Sequence, residues 1–407
     1  LQLTTGLNVE LKRLLERLSL HGQFSIDYSN LYTETIDKGY AVYQPVWANY
    51  TDQNVISSVN KLNKDFNNGN KNLSGTWNDQ LIDFNVHANY VKTIGGNHNI
   101  SAMVLMAAMR GRQTGDFQNR TNTNLGVQLG YDFAGKYFAD FSGALINSTR
   151  LPKKNRAAFS PTLSLGWMMS EENFLKNSSI VDMLKLTASA GIINTDTDLV
   201  NIQSQNGYYL YDPVYKSTAY FSWRDSGEGA YVNQATTIQQ SQNKDLKYAK
   251  RKEVNVSVEA LMLDGSLGIK TTAFLIKKDG IPVQVKSIYP SFFHSYYPET
   301  SFYPYMNYDE NRYSVFDFQI DYKKQIGQFL FEAGPSATYI STKVLKRDSL
   351  YADSYQNRKG KPVDAIFGLK NSGFFMDNAE IEKGAVQKFG ELIPGDIRYI
   401  DQNGDEI

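Results

Sequence analysis

The stretch Leu125-Gly-Val-Gln-Leu-Gly-Tyr-Asp-Phe133-Ala-Gly-Lys-Tyr137-Phe-Ala-Asp-Phe-Ser-Gly-Ala-Leu145 reads as two strands joined by a tight turn. Leu125, Val127, Leu129, Tyr131 and Phe133 fall on every second position, with Gly126, Gln128, Gly130 and Asp132 between them. After residues 134–136 the alternation resumes through Tyr137, Ala139, Phe141, Gly143 and Leu145. A period of two places one apolar and one polar face on each strand. Each arm has roughly nine residues, the length a tilted strand needs to cross a bilayer and more than the usual five or six.

The same pattern recurs along the chain. Leu1 to Leu11, Leu18 to Tyr28, Ile82 to Tyr90, Phe159 to Met169, Leu184 to Ile192, Val254 to Met262, Leu267 to Leu275, Phe316 to Tyr322 and Phe329 to Tyr339 all alternate. Residues 100–109 are apolar on both faces and fit least well. The connections alternate between short (residues 12–17, 93–97, 134–136, 264–265, 324–327) and long (33–79, 111–121, 147–158, 194–252, 278–311). Residues 170–183 are placed on the short side, with a helical turn expected at 180–184. Short turns on one rim and long loops on the other are the mark of a transmembrane barrel, as are Tyr and Phe gathered at strand ends. The expectation is an all-β fold: a large antiparallel transmembrane β-barrel of about 12 or more strands, with short periplasmic turns and long extracellular loops.

Composition agrees. The 407 residues carry 42 Lys+Arg against 42 Asp+Glu, so neither a nucleic-acid surface nor a polybasic membrane patch is indicated. The longest apolar run, residues 102–109, is far too short for a spanning helix. Mean hydropathy is −0.43, which a barrel explains because only one face of each strand meets lipid. With no Cys, four dispersed His and no nucleophile elbow, Walker loop or dinucleotide turn, no enzyme is expected. Asp196 and Asp198 read as solvated turn residues in place of a catalytic pair.

The long loops are rich in rings. One carries Tyr208, Tyr209, Tyr211 and Trp223, another Phe292, Phe293, Tyr296 and Tyr297. Such rings suit stacking on a sugar or docking a partner, and equally the packing of one loop on another. The tail Asp401-x-Asn403-x-Asp405 matches the first side-chain ligands of a calcium loop, although Glu406 stands where glycine is usual. Calcium there is therefore a candidate beside a plain Asx-rich turn, and no other cofactor is expected.

Several segments in order resemble the SusC/RagA family of TonB-dependent outer-membrane transporters of Bacteroidetes. They are Tyr137-Phe-Ala-Asp-Phe-Ser-Gly-Ala, Leu151-Pro-Lys-Lys-Asn-Arg-Ala-Ala-Phe-Ser-Pro-Thr-Leu-Ser-Leu-Gly-Trp167 and Ser170-Glu-Glu-Asn-Phe-Leu-Lys. Further on come Leu184-Lys-Leu-Thr-Ala-Ser-Ala-Gly, Asn243-Lys-Asp-Leu-Lys-Tyr, Phe367-Gly-Leu-Lys-Asn-Ser-Gly-Phe-Phe and Pro394-Gly-Asp-Ile-Arg-Tyr-Ile-Asp-Gln-Asn-Gly-Asp. The resemblance implies a 22-stranded barrel of the Gram-negative outer membrane, closed by an N-terminal plug. It also implies a SusD-like lipoprotein lid, oligosaccharide or peptide cargo, and drive from the TonB-ExbB-ExbD system. Residues 1–407 are then expected to be the central part of such a barrel, with the plug domain and the last strands outside them. Two alternatives stand beside it: a passive outer-membrane porin and a β-rich surface glycan-binding protein.

Overall fold

The computed structural model describes the chain except residues 51–52, 116, 200–207, 223–231, 297–298, 350–353, 389, 403 and 405–407. It is dominated by one antiparallel sheet of 13 strands. In spatial order these are β1 (Gln2–Glu10), β2 (Leu18–Gly39), β5 (Phe66–Ile94), β6 (His98–Gln113), β7 (Arg120–Phe133), β8 (Tyr137–Ser148), β9 (Ala157–Met168), β10 (Val181–Thr195), β13 (Ala249–Met262), β14 (Leu267–Gln284) and β17 (Tyr305–Ile326). β18 (Phe329–Ala333) and β19 (Ser336–Lys346) then both pair with β17. Every strand pairs with its neighbour in sequence apart from short hairpins carried in the long loops: β3 (Tyr43–Tyr50) with β4 (Gln53–Lys61), β11 (Val214–Ser222) with β12 (Val232–Gln240), and β15 (His294–Tyr296) with β16 (Glu299–Ser301). Residues 100–109 lie within β6 and pair on both sides.

Register follows the hydrophobic pattern. Leu129 faces Ala102 on one side and Phe141 on the other, and Leu165 faces both Ala139 and Ala188. All lie on one face of the sheet, and its large side chains are about half exposed: Leu125 52%, Leu163 49%, Val254 52%, Leu275 53%. The fully buried apolar residues are elsewhere, as Leu151, Leu199, Leu210, Leu246 and Tyr248 cluster in the loops. A sheet whose whole apolar face is uncovered while its loops own the core is inside out for water and right for lipid. The opposite face carries Asn124, Gln128, Asp140, Ser164, Thr187, Ser257 and Thr272, with bonds such as Ser189 Oγ to Asn255 Oδ1 at 2.7 Å.

The short turns hold backbone that few residues adopt. Ala134 and Gly135 both have positive φ (56° and 70°), and the Gly135 N–H donates to Asp132 Oδ2 at 3.1 Å. Between β9 and β10 the single helical turn is a 3-10 turn at Met169–Glu171. The turn expected at 180–184 is strand from Val181, with a bulge between Val181 and Met183. The run 329–339 is broken at Gly334 and Pro335, yet register with β17 is unchanged across the break. Pro335 has no N–H to donate, while its carbonyl still accepts from Ile320 N–H at 3.0 Å. The stretch 33–79, read as loop, is largely strand, because β2 and β5 continue as a 22- and a 29-residue ribbon beyond the apolar band.

At the short-turn rim, rings line the edge of the apolar face. His98 lies against Phe133 at 4.9 Å, and Phe133 stacks on Tyr137 at 6.4 Å. Glu172 gathers the corner: it accepts the Tyr137 hydroxyl at 2.5 Å and the Trp167 Nε1–H at 3.2 Å, with Lys136 Nζ 3.7 Å away. Three segments that carry the family resemblance thus meet on one carboxylate. The Tyr137 hydrogen bond, then that of Trp167 and the Lys136 charge, hold the Glu172 carboxyl below its ordinary range.

Two outcomes follow. Leu129→Arg, at mid-height on the apolar face, is expected to cost about 2–4 kcal/mol in urea titrations of the protein refolded into vesicles, and Gln128→Arg on the polar face far less. Equal costs would reverse the facing. A depressed carboxyl pKa stabilises above the ordinary Glu range and stops doing so as pH falls through that range towards the lowered value. A variant keeping only Trp167 should therefore shift its emission on acidification below the ordinary Glu range, and Glu172→Gln should abolish the transition.

Candidate functional site

The site where a large solute would first meet this chain is the long-loop rim together with the polar face of the sheet. The rim is built on the loop core. Asn155 Nδ2 donates to Leu246 O at 3.0 Å, Arg156 Nε to Leu151 O at 2.9 Å, and the Tyr248 hydroxyl to Arg156 O at 2.6 Å. This docks the 151–167 motif onto the 243–248 motif. Burial among these groups pushes the Tyr248 hydroxyl pKa up.

Asp196 is not a solvated turn residue. Its Oδ2 pairs with Arg150 Nη1 at 2.7 Å and accepts Ser148 Oγ–H at 2.7 Å, and the Arg150 side chain is 5% exposed. Asp198 pairs with Lys278 at 2.8 Å. A second buried carboxylate, Asp309, pairs with Arg347 at 3.1 Å and accepts Asp348 N–H at 2.9 Å. Desolvation is the largest influence on its pKa and raises it. All three ion pairs brace the long-loop rim, and none leaves two carboxylates poised as acid and base.

The rings divide into holders and presenters. Tyr209 and Tyr211 stack at 5.3 Å. The Tyr209 N–H donates to Gln118 Oε1 at 2.7 Å, its hydroxyl to Asn119 O, and the Tyr211 hydroxyl accepts from Arg156 at 3.3 Å. These two fasten the loop that follows β10 to those that follow β6 and β8. Tyr208 instead stacks at 4.3 Å, planes within 10°, on Phe117, which is 68% exposed. In the other loop Phe293 is packed by Tyr289 at 5.4 Å and Phe302 at 6.2 Å, while Phe292 beside it is 76% exposed. Trp223 and Tyr297 lie outside the described residues, and the Tyr296 side chain is not described either. Phe117 escaped the sequence reading because it stands alone in a polar stretch, and only its partner 91 residues away shows its use.

On the polar face, His21 and His87 sit opposite each other with ring centroids 4.8 Å apart, and His21 Nδ1 bonds Asn8 Oδ1. Among the described residues no group of three His, Asp or Glu is placed to hold a metal ion. Asp401 Oδ1 accepts the Gly404 N–H at 2.7 Å, and Asn403 and Asp405 lie outside the described residues. The flanking segments form a small unit of their own. There β20 (Asn371–Phe374) pairs with β21 (Ile397–Tyr399), and Asp377 caps the helix Asn378–Lys383 by accepting Glu380 N–H at 2.9 Å.

Removing Arg150 strands the Asp196 carboxylate in a nearly dry setting. Arg150→Met is expected to open the loop cluster at a cost of about 3 kcal/mol, read as faster amide exchange over residues 208–215 and 243–248. Arg150→Met with Asp196→Leu should recover much of the loss.

No family model matches the chain. It is 32% identical over 162 residues to the TonB-dependent receptor P39 of Formosa agariphila, covering 39% of this chain and 14% of that protein. It is 22% identical over 291 residues to the receptor P3 of the same organism (68% and 27%), and 28% identical over 159 residues to the TonB-dependent receptor SusC of Bacteroides thetaiotaomicron (39% and 15%). The matched segments thus span about a quarter or less of those receptors. Among solved structures, the RagAB peptide importer in its closed-closed state superposes over all of this chain and 44% of that one, with TM-score 0.65 and 14% identity. The RagAB peptide transporter superposes over 82% of this chain and 35% of that one, with TM-score 0.58 and 14% identity. The relatives it matches are named as receptors and transporters. With ordered motifs, an inside-out sheet and these likenesses in agreement, the chain is similar in sequence to TonB-dependent receptors, SusC among them, and shares the strand architecture of the RagAB importer.

Proposed function

We propose that this chain forms wall and outer loops of an energy-driven importer of oligosaccharides or peptides, working with a SusD-like lipoprotein that covers the loop rim. The observation that carries the reading is the exposed Phe117 ring stacked on the half-buried Tyr208 of a braced loop cluster, above a sheet face of hydroxyls and amides. Flat rings bind the apolar faces of sugars and peptide side chains, and hydroxyl and amide groups exchange hydrogen bonds with a polar solute at little cost. RagAB, whose fold the chain shares, is itself a peptide importer. Among the described residues, β1 pairs only with β2, and β18 and β19 only with β17. Since lipid tolerates no open edge, further strands complete the wall. A plug within that wall, linked to TonB-ExbB-ExbD, would make passage depend on the inner-membrane proton gradient. The loop rings Tyr208, Tyr209, Tyr211, Phe292 and Phe293 are assigned to cargo or lid, Tyr208 and Phe292 by contact and the others by holding the loops. Calcium at Asp401 would brace the turn there and take no part in passage.

Uptake of labelled oligosaccharide and peptide pools by cells carrying the full-length receptor tests this. A protonophore should abolish uptake, and Phe117→Ala with Tyr208→Ala should weaken cargo binding several-fold with the lipoprotein still co-purifying. Uptake indifferent to the protonophore would make the protein a passive porin, and a receptor soluble without detergent would make it a surface binder.

A further inference from the structure

The register places four cations in one line across the sheet. Lys252 on β13 stands opposite Lys277 on β14, Lys277 opposite Arg312 on β17, and Arg312 opposite Lys343 on β19. Directly opposed residues share a face, and this is the apolar one: Lys252 and Lys277 follow its alternation two residues from Val254 and Leu275, Arg312 and Lys343 four residues from Phe316 and Tyr339. All four side chains are substantially exposed. Like charges set directly opposite each other in a sheet repel, so an uncompensated row has to be balanced from outside. Two carboxylates answer in part, Asp279 to Lys252 at 2.6 Å and Glu310 to Lys277 at 2.9 Å. Among the described residues no carboxylate forms an ion pair with Arg312 or Lys343, and Lys250 adds a further cation on the same face.

Height identifies the environment. From Met262 at the short-turn end of β13 to Lys252 is ten residues, which at usual rise and tilt is about 25 Å across the membrane. That is the height of the apolar band of an outer-membrane barrel, so the row lies at headgroup level of the outer leaflet. Three strand spacings give it a length of about 14 Å. Immediately towards the membrane centre, a depression of about 470 Å³ opens under Lys252 and Lys277, with Pro161, Leu163, Ile192, Val254 and Leu275 in its lining. A second, bounded by Val256, Phe316 and Tyr339, shares Val254 and Leu275 with it. Elsewhere the same height carries Thr123, Asn147, Ala157 and Ile192.

We propose that β13, β14, β17 and β19 bind a phosphate-bearing lipid of the outer leaflet, its phosphates on Lys252, Lys277, Arg312 and Lys343 and its acyl chains in the two depressions. Ammonium and guanidinium groups are strong phosphate partners, and the apolar floor has no use for a free anion. The lipid fastens these four strands to the leaflet on one side of the barrel and fixes how the receptor sits against its neighbours.

The test uses the full-length receptor in detergent, titrated with diphosphorylated lipid A and with its dephosphorylated form, and read by native mass spectrometry. The diphosphorylated lipid should bind, the dephosphorylated form far more weakly. Lys252→Gln/Lys277→Gln/Arg312→Gln/Lys343→Gln should lower affinity for the former by at least roughly tenfold. Arg110→Gln/Arg112→Gln, two cations that stand singly on β6, should leave it unchanged. Should the fourfold variant fail to give a heat-resistant barrel, Arg312→Gln/Lys343→Gln alone should lower affinity measurably. Undiminished binding in the folded variants, equal binding of the dephosphorylated lipid, or full displacement by inorganic phosphate would each overturn the proposal.

Discussion

Lipid offers a peptide group nothing to bond with. Each backbone N–H and C=O at membrane depth must find its partner in the next strand, and the sheet is organised around that requirement. It forces uninterrupted ladders such as the 13 consecutive residues of β13, Lys250 to Met262, against β14. The one proline in the break between β18 and β19, Pro335, still accepts the Ile320 N–H through its carbonyl, so the ladder loses a single donor there. Lipid also removes the ordinary hydrophobic drive from the wall, since an apolar side chain gains nothing by leaving it. Hydrophobic burial then has work to do only where there is water, and that is why Leu151, Leu199, Leu210 and Leu246 collect above the sheet.

The rims carry the rest of the specification. Strand edges held by ladder bonds alone could slip in steps of two without exchanging faces. Side-chain knots at both rims oppose this. At one rim Glu172 binds Tyr137, Trp167 and Lys136 from the two strand ends and the turn between β7 and β8. At the other, Arg150 and Asp196 bind the ends of β8 and β10 across β9, and Asp309 with Arg347 binds β17 to the chain leaving β19. One of these knots, on Glu172, joins three of the segments that carry the family resemblance.

What was legible in the sequence follows from the same division. Alternation within the apolar band is imposed by two unlike solvents, so ten of the strands and the short-turn side were readable from period two alone. The outer parts of β2 and β5 have water on both faces, no alternation is imposed, and residues 33–79 looked like loop although most of them are paired. The run 100–109 is a strand that showed no alternation for the converse reason: Met103, Leu105 and Met109 lie on the polar face, where Leu105 stands against the space left by Gly126. Pairings across loops were invisible. Nothing in the spacing of Gln118 and Tyr209, or Phe117 and Tyr208, brings them together before the strands do.

The balanced charge of the chain takes its meaning from this geometry. Forty-two cations and forty-two anions cancel in a count, but each ion has a height and a face. Within the apolar band the outward face carries no charge across β7 to β9, and on the inward face Asp140, Glu259, Lys270 and Asp317 have water to screen them. Charges close to lipid are affordable only where the band ends, and there β13 to β19 show cations set against cations. On the inward face Arg251 also stands opposite Lys278, but Glu253 and Asp198 answer them, whereas Arg312 and Lys343 form no ion pair among the described residues, and repulsion left unanswered is a departure that points to function. A solvent with fixed anions at one depth is the environment in which such a row lowers the free energy of the whole.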